Sequence, residues 1–194
     1  MKITNLAEDV EDFTGEVWHI ENKGRKALID AGEGDCWNQI KELNSLEKVV
    51  ITHSHHDHVK NLSKIVEKFN CKVKAFNPGK ISEKAEKIIE GDKINLAGLD
   101  FEVIHTPGHK NDSICLYNPE NKVLFTGDLI FPEGGFGRTD LAEGDRHKLI
   151  ESIKKIRELE VEKFYAVHGE AVIEDANKWI EKSLEEAKKH EAKY

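Results

Sequence analysis

The residues His53-Ser54-His55-His56-Asp57-His58 place three patterned histidines and a carboxylate within six positions, as His-x-His-x-Asp-His. Imidazole nitrogen and carboxylate oxygen are the ligand types that suit zinc and other first-row divalent ions. The apolar run Val49-Val50-Ile51 stands directly before the cluster. A short strand there would carry the ligands to its own end, where a rigid sheet presents reactive groups on a loop. The stretch reads as a metal site, with one ion or two left open.

Three more residues share a placement just past an expected strand. His109 follows Ile104-His105-Thr106-Pro107-Gly108, Asp128 follows Val123-Leu124-Phe125-Thr126-Gly127, and His168 follows Phe164-Tyr165-Ala166-Val167. Each has a neighbouring glycine, which lets backbone or metal approach without a Cβ in the way. Taken singly, each has a plain alternative: a hydrogen-bonded loop histidine, or an aspartate that closes a turn or caps a helix. The cysteines Cys36, Cys71 and Cys115 are scattered, with no Cys-x-x-Cys, and read as free thiols in a reducing compartment rather than nucleophiles.

The elements that must position these groups follow from periodicity. Strands are expected over Gly15 to Asn22, Arg25 to Asp30, Lys48 to Ile51, Cys71 to Phe76, Lys93 to Leu96, Asp100 to His105, Ser113 to Tyr117, Lys122 to Phe125 and Lys163 to Val167. Helical spacing of apolar residues marks Trp37 to Leu46, Val59 to Phe69, Leu149 to Ile156 and Val172 to Ala187, with Lys80 to Glu90 a further helix. Strands mixed with helices imply one layered α/β or α+β domain over residues 1–194.

The net charge of −8 argues against a nucleic-acid partner, which would call for a basic face or arm. No run approaches the roughly 18–20 apolar residues of a membrane span. Met1 to Asp12 shows no apolar signal core, so the cytoplasm is the expected location.

Taken together, Asp30, His53-x-His55-x-Asp57-His58, His109, Asp128 and His168 resemble the metallo-β-lactamase superfamily, and more narrowly its small glyoxalase-II-type hydrolases. The supporting phrases are Thr106-Pro107-Gly108-His109, Thr126-Gly127-Asp128-Leu129-Ile130-Phe131 and Gly137-Arg138-Thr139-Asp140-Leu141. The resemblance implies an αββα sandwich of two mixed β-sheets flanked by helices. It implies two divalent metal ions, zinc first, with iron or manganese served by the same ligands. His53, His55 and His109 would hold one, Asp57, His58 and His168 the other, with Asp128 bridging. Asp30 would steady the ligand loop from behind. His56 would point away. His19, His105, His147 and His190 have no matching context and are expected to be structural or surface residues.

Two such ions would hold a hydroxide at neutral pH and polarise a carbonyl, and Asp57 would carry the proton to the leaving group. The expected activity is hydrolysis of a small-molecule acyl thioester or ester. Arg138 is the candidate for an anionic substrate group, with an ion pair to Asp140 or Glu133 as its plain alternative. Only about two dozen residues follow Gly169, whereas glyoxalase II carries a further helical domain for glutathione, so glutathione binding does not carry over. Lys110-Asn111-Asp112 replaces the family's small residue and glycine after His109. The main alternative is a mononuclear iron persulfide dioxygenase, which shares the Gly-Arg-Thr-Asp phrase; a lactonase or nuclease of the same superfamily stands behind it. Oligomeric state is left open.

Overall fold

The computed structural model describes residues 1–8 and 15–191. The acidic positions Asp9, Glu11 and Asp12 lie outside them, as does the side chain of His190. The chain, read above as one domain over 1–194, comprises two compact units, Met1–Phe101 and Glu102–Tyr194.

The first unit is built on a six-stranded mixed sheet in sequence order: β1 (Lys2–Asn5), β2 (Trp18–Asn22), β3 (Arg25–Ile29), β4 (Lys48–Ile51), β5 (Lys72–Ala75) and β6 (Ala85–Lys87). β1, β2 and β3 run antiparallel, and β3 to β6 are parallel. The β2–β3 hairpin turns at Lys23 and Gly24, both with positive φ (51° and 79°), the backbone a tight turn requires if it is to match strand twist. Three short helices follow: α1 (Trp37–Ile40), α2 (His56–Val59) and α3 (Leu62–Phe69). Leu28, Val49, Ile51, Val73 and Ala75 pack with Ile40, Leu62 and Ile65 in one core. Burial of each large aliphatic side chain there contributes on the order of 1.5–3 kcal/mol. On the opposite faces of the same strands, Ala27, Ile29 and Val50 are also fully buried. Central parallel strands hidden on both sides read as unbroken apolar runs, which is the pattern at Val49-Val50-Ile51.

Two expectations fail here. Lys80 to Glu90 is not a helix: a 3₁₀ turn at Pro78–Lys80 leads to β6, which pairs in parallel with β5. The Ala-Glu-Lys composition favours a helix, but backbone pairing at the sheet edge wins, aided by an ion pair of Lys74 with Glu86 at 2.7 Å. The expected Trp37 to Leu46 helix shrinks to a 3₁₀ turn at Gly34–Cys36 and the four residues of α1.

A five-stranded sheet has the order β11-β10-β9-β8-β7, from β7 (Lys93–Leu96), β8 (Leu99–His105), β9 (Ile114–Asn118), β10 (Val123–Gly127) and β11 (Lys163–Ala166). It is mixed as well, since β10 runs parallel to β11 and antiparallel to β9. In the second unit, α4 (Arg146–Arg157) and α5 (Ala176–Glu191) contribute Leu149, Ile153, Ile156, Ile180 and Leu184 to one core with Ile104, Cys115, Leu124 and Phe164. Asp145 caps α4 by accepting the Lys148 amide at 3.0 Å. Val172, expected in the closing helix, instead pairs its backbone with Phe164 in both directions. Among the described residues no helix is long and apolar enough to cross a membrane.

Candidate metal centre

In the first unit the site grows from adjacent ends of β3 and β4. Asp30 follows β3 with φ 64°, a left-handed backbone that aspartate tolerates better than most residues. Its amide donates to the Val50 carbonyl at 2.8 Å, which fixes it beside the start of the histidine cluster. Its buried carboxylate then accepts three hydrogen bonds: from the Thr52 amide at 2.7 Å, the Thr52 hydroxyl at 2.8 Å and His58 Nδ1 at 2.9 Å. An ionised carboxylate only accepts, so His58 carries its proton on Nδ1 and turns the lone pair of Nε2 away from Asp30. This carboxylate–histidine pairing is how proteins orient and enrich a metal-ligating imidazole.

His53 Nε2 and His55 Nδ1 face each other at 2.9 Å, and the His53 and His58 rings lie 3.9 Å apart between centroids. Asp57 Oδ2 is 3.7 Å from His58 Nε2. α2 begins at His56, so Asp57 occupies the helix's first turn, where a carboxylate is electrostatically favoured. His56 leaves the group: it pairs with Glu33 at 2.6 Å and is largely exposed.

In the second unit the loop before His109 is stapled to α4. The Asp145 amide donates to the Gly108 carbonyl and the Ser152 hydroxyl to the Pro107 carbonyl, both at 2.7 Å. Gly108 sits at φ 139°, and a Cβ there would stand 2.3 Å from the Leu149 amide nitrogen. Gly137 is equally constrained, since a Cβ would stand 2.0 Å from the Asp128 carbonyl oxygen. That close approach brings the Arg138 carbonyl to His109 Nδ1 at 2.8 Å. A carbonyl cannot donate, so His109 too carries its proton on Nδ1 and offers Nε2. Asp128 Oδ2 lies 3.4 Å from His109 Nε2 and 3.6 Å from His168 Nε2. One carboxylate oxygen thus stands between two imidazole nitrogens.

The donor set fits a first-row divalent ion: nitrogens and carboxylate oxygens converge, and at His58 and His109 a defined tautomer points the lone pair inward. Two supports escaped sequence reasoning. Thr52 carries no ligand signature, and its place just ahead of the cluster was the only hint. Arg138 serves through its backbone carbonyl, which no side-chain pattern reveals. Its guanidinium forms a two-pronged pair with Asp140 at 2.8 and 3.0 Å, and that hydrogen bond lowers the Asp140 carboxyl to about 2. Of the remaining histidines, His19 is buried on β2, and burial lowers its pKa. His105 bonds the Asn111 carbonyl and His147 is exposed.

The sequence pattern of the Metallo-beta-lactamase superfamily matches residues 11–168. A hydroxyacylglutathione hydrolase of Idiomarina loihiensis is 33% identical over 147 residues, covering 74% of this chain and 56% of the relative. The hydroxyacylglutathione hydrolase GloC of Haemophilus influenzae is 33% identical over 162 residues, covering 71% of this chain and 75% of the relative. This chain therefore spans little more than half the length of the Idiomarina protein. Among solved structures, ETHE1 from Myxococcus xanthus matches with a TM-score of 0.73 at 22% identity, over 95% of this chain and 90% of that one. That likeness shows the fold anticipated from the sequence, two mixed sheets with flanking helices.

Proposed function

The chain belongs to the metallo-beta-lactamase superfamily, and on that footing we propose that it is a metal-dependent hydrolase of acyl thioesters or esters with a two-metal centre. His53, His55 and His109 would hold one ion and Asp57, His58 and His168 the other, with the Asp128 carboxylate available to both. When bound, such a pair of cations lowers the pKa of a shared water toward 7 and polarises the substrate carbonyl.

The chain's own groups do the rest. Asp30 and the Arg138 carbonyl keep His58 and His109 in the ligating tautomer. Asp57, in the first turn of α2 and partly exposed, takes the proton from the attacking water and returns it to the leaving group. The observation that carries this reading is the position of Asp128 Oδ2 between His109 Nε2 and His168 Nε2, the placement a bridging carboxylate needs. Relatives named as hydroxyacylglutathione hydrolases support the thioester class.

The alternative, a mononuclear iron dioxygenase acting on persulfides, draws on the Gly137-Arg138-Thr139-Asp140 phrase. That phrase has a structural task in either reading, because Gly137 and the Arg138 carbonyl position His109. Metal analysis of the purified protein separates the two, paired with assays of thioester hydrolysis and of persulfide-dependent oxygen uptake. Two ions per chain with hydrolysis are expected, and His58→Ala or His168→Ala should lower kcat at least a hundredfold. One iron per chain with oxygen uptake, indifferent to His58, would overturn the hydrolase reading.

A further inference from the structure

The segments that follow Asp128 and His168 meet, within the second unit, at a cleft of ≈ 420 Å³ lined by Phe131, Pro132, Glu133, His168, Gly169 and Glu170. One side is aromatic and apolar: the Phe131 ring lies edge-on to the His168 imidazole, 5.5 Å between centroids. Within the lining Gly169 packs close to Pro132, since a Cβ there would stand 3.1 Å from Pro132 Cγ. The rim carries two exposed carboxylates, Glu133 and Glu170, and none of the six lining residues is a lysine or arginine.

Glu133 is fixed by its backbone. It sits at φ 61° between Pro132 and Gly134, a left-handed geometry that a non-glycine residue keeps only where its surroundings hold it. Lys182 packs its aliphatic chain where a Cβ on Gly134 would be and aims its ammonium over the Trp179 ring at 4.9 Å. Arg138, the cation the sequence offered for an anionic substrate group, has its guanidinium on Asp140.

We propose that this cleft receives the leaving-thiol portion of the substrate, and that Glu133 and Glu170 select a cationic thiol over an anionic one. The inference rests on the thioester-hydrolase reading, with His168 at the metal centre. It departs from the tripeptide thiol in the relatives' names, because the two carboxylates of glutathione outweigh its single ammonium and these two residues disfavour that net negative charge. Each carboxylate at contact distance in water favours a cation over a neutral group by roughly fivefold and disfavours an anion by as much, and salt screens both effects.

The test uses three acetyl thioesters of similar size on the metal-loaded protein: acetylthiocholine, its neutral 3,3-dimethylbutyl isostere and S-acetyl-3-mercaptopropionate. We expect kcat/KM to fall in that order, by about tenfold or more across the set at low ionic strength. The spread should collapse in Glu133→Gln/Glu170→Gln and in molar salt. Equal rates on all three would overturn the cleft's assignment while leaving the hydrolase reading intact. A readout free of turnover separates the two further. Choline, and not butyrate, should shift the backbone amide resonances of Phe131 and Gly169, and the double variant should lose that difference. Identical responses to both ions would overturn the proposal even if none of the thioesters is cleaved.

Discussion

At the scale of single residues, the site depends on which nitrogen of each imidazole holds the proton, and the groups that decide this are not ligands. Asp30 accepts from Thr52 twice and from His58 once. An Asp30→Asn change keeps the shape, yet its amide must either turn a donor toward an N–H or leave one of the three donors unmet. A buried donor left without its acceptor costs about 1–3 kcal/mol, and losing a partner behind a metal-ligating histidine typically costs ten- to hundredfold in metal affinity. Competition with a chromophoric chelator should report that loss, while circular dichroism shows the fold retained. Unchanged affinity would mean that Asp30 only shapes the turn that follows β3. Arg138 makes the complementary point. Its side chain suggested either a substrate contact or an ion pair with Asp140 or Glu133; the structure puts its guanidinium on Asp140, and its carbonyl on His109. With both partners about two-thirds exposed, that ion pair adds little to stability.

At the scale of elements, the candidate ligands stand in the sequence just past expected strands, and the scaffold could be read where apolar periodicity is strong. β4 with its histidine cluster, β10 ahead of Asp128, β11 ahead of His168 and the α4 stripe all stand close to where spacing placed them. What could not be read is structure made by pairing rather than patterning. β6 is a charged, three-residue edge strand whose Ala-Glu-Lys letters favour a helix, and edge strands often carry such charges because one side faces water. β1, Lys-Ile-Thr-Asn, is too short to signal itself and is defined by its register against β2. The glycines belong to this scale too. Gly108 stands where the sequence calls for a close approach of backbone or metal, and the backbone that approaches is that of α4, 2.3 Å from a Cβ placed there. Gly108→Ala must therefore push the His109 loop and α4 apart. Alanine at positive φ and an overpacked contact together predict a loss of about 1–3 kcal/mol or more. Urea unfolding of the stripped protein would measure it without interference from metal binding; a loss below about 0.5 kcal/mol would show that the loop yields freely.

At the scale of the whole molecule, the proposed ligands divide between the compact units: His53, His55, Asp57 and His58 in Met1–Phe101, and His109, Asp128 and His168 in Glu102–Tyr194. If ions bind ligands from both, removing them releases two sets of loops at once. Anything that binds only the folded state stabilises it by RT ln(1 + [L]/Kd), about 2.7 kcal/mol when free ligand is 100 times Kd. For a chain of this length each kcal/mol moves Tm by roughly 2–4 °C, so full stripping with a chelator should lower Tm by about 5–11 °C. The decisive measurement is where the loosening falls. Hydrogen exchange should accelerate on chelation both at the end of β4 with α2 and at the ends of β10 and β11, and zinc should restore protection at both together. Exchange that changes only in the first unit would confine the metal to the His53–His58 cluster and leave Asp128 as an ordinary ion-pair partner of His109 and His168. Faster exchange in both units, with parallel recovery, is the behaviour of a centre whose ligands come from both halves of the chain.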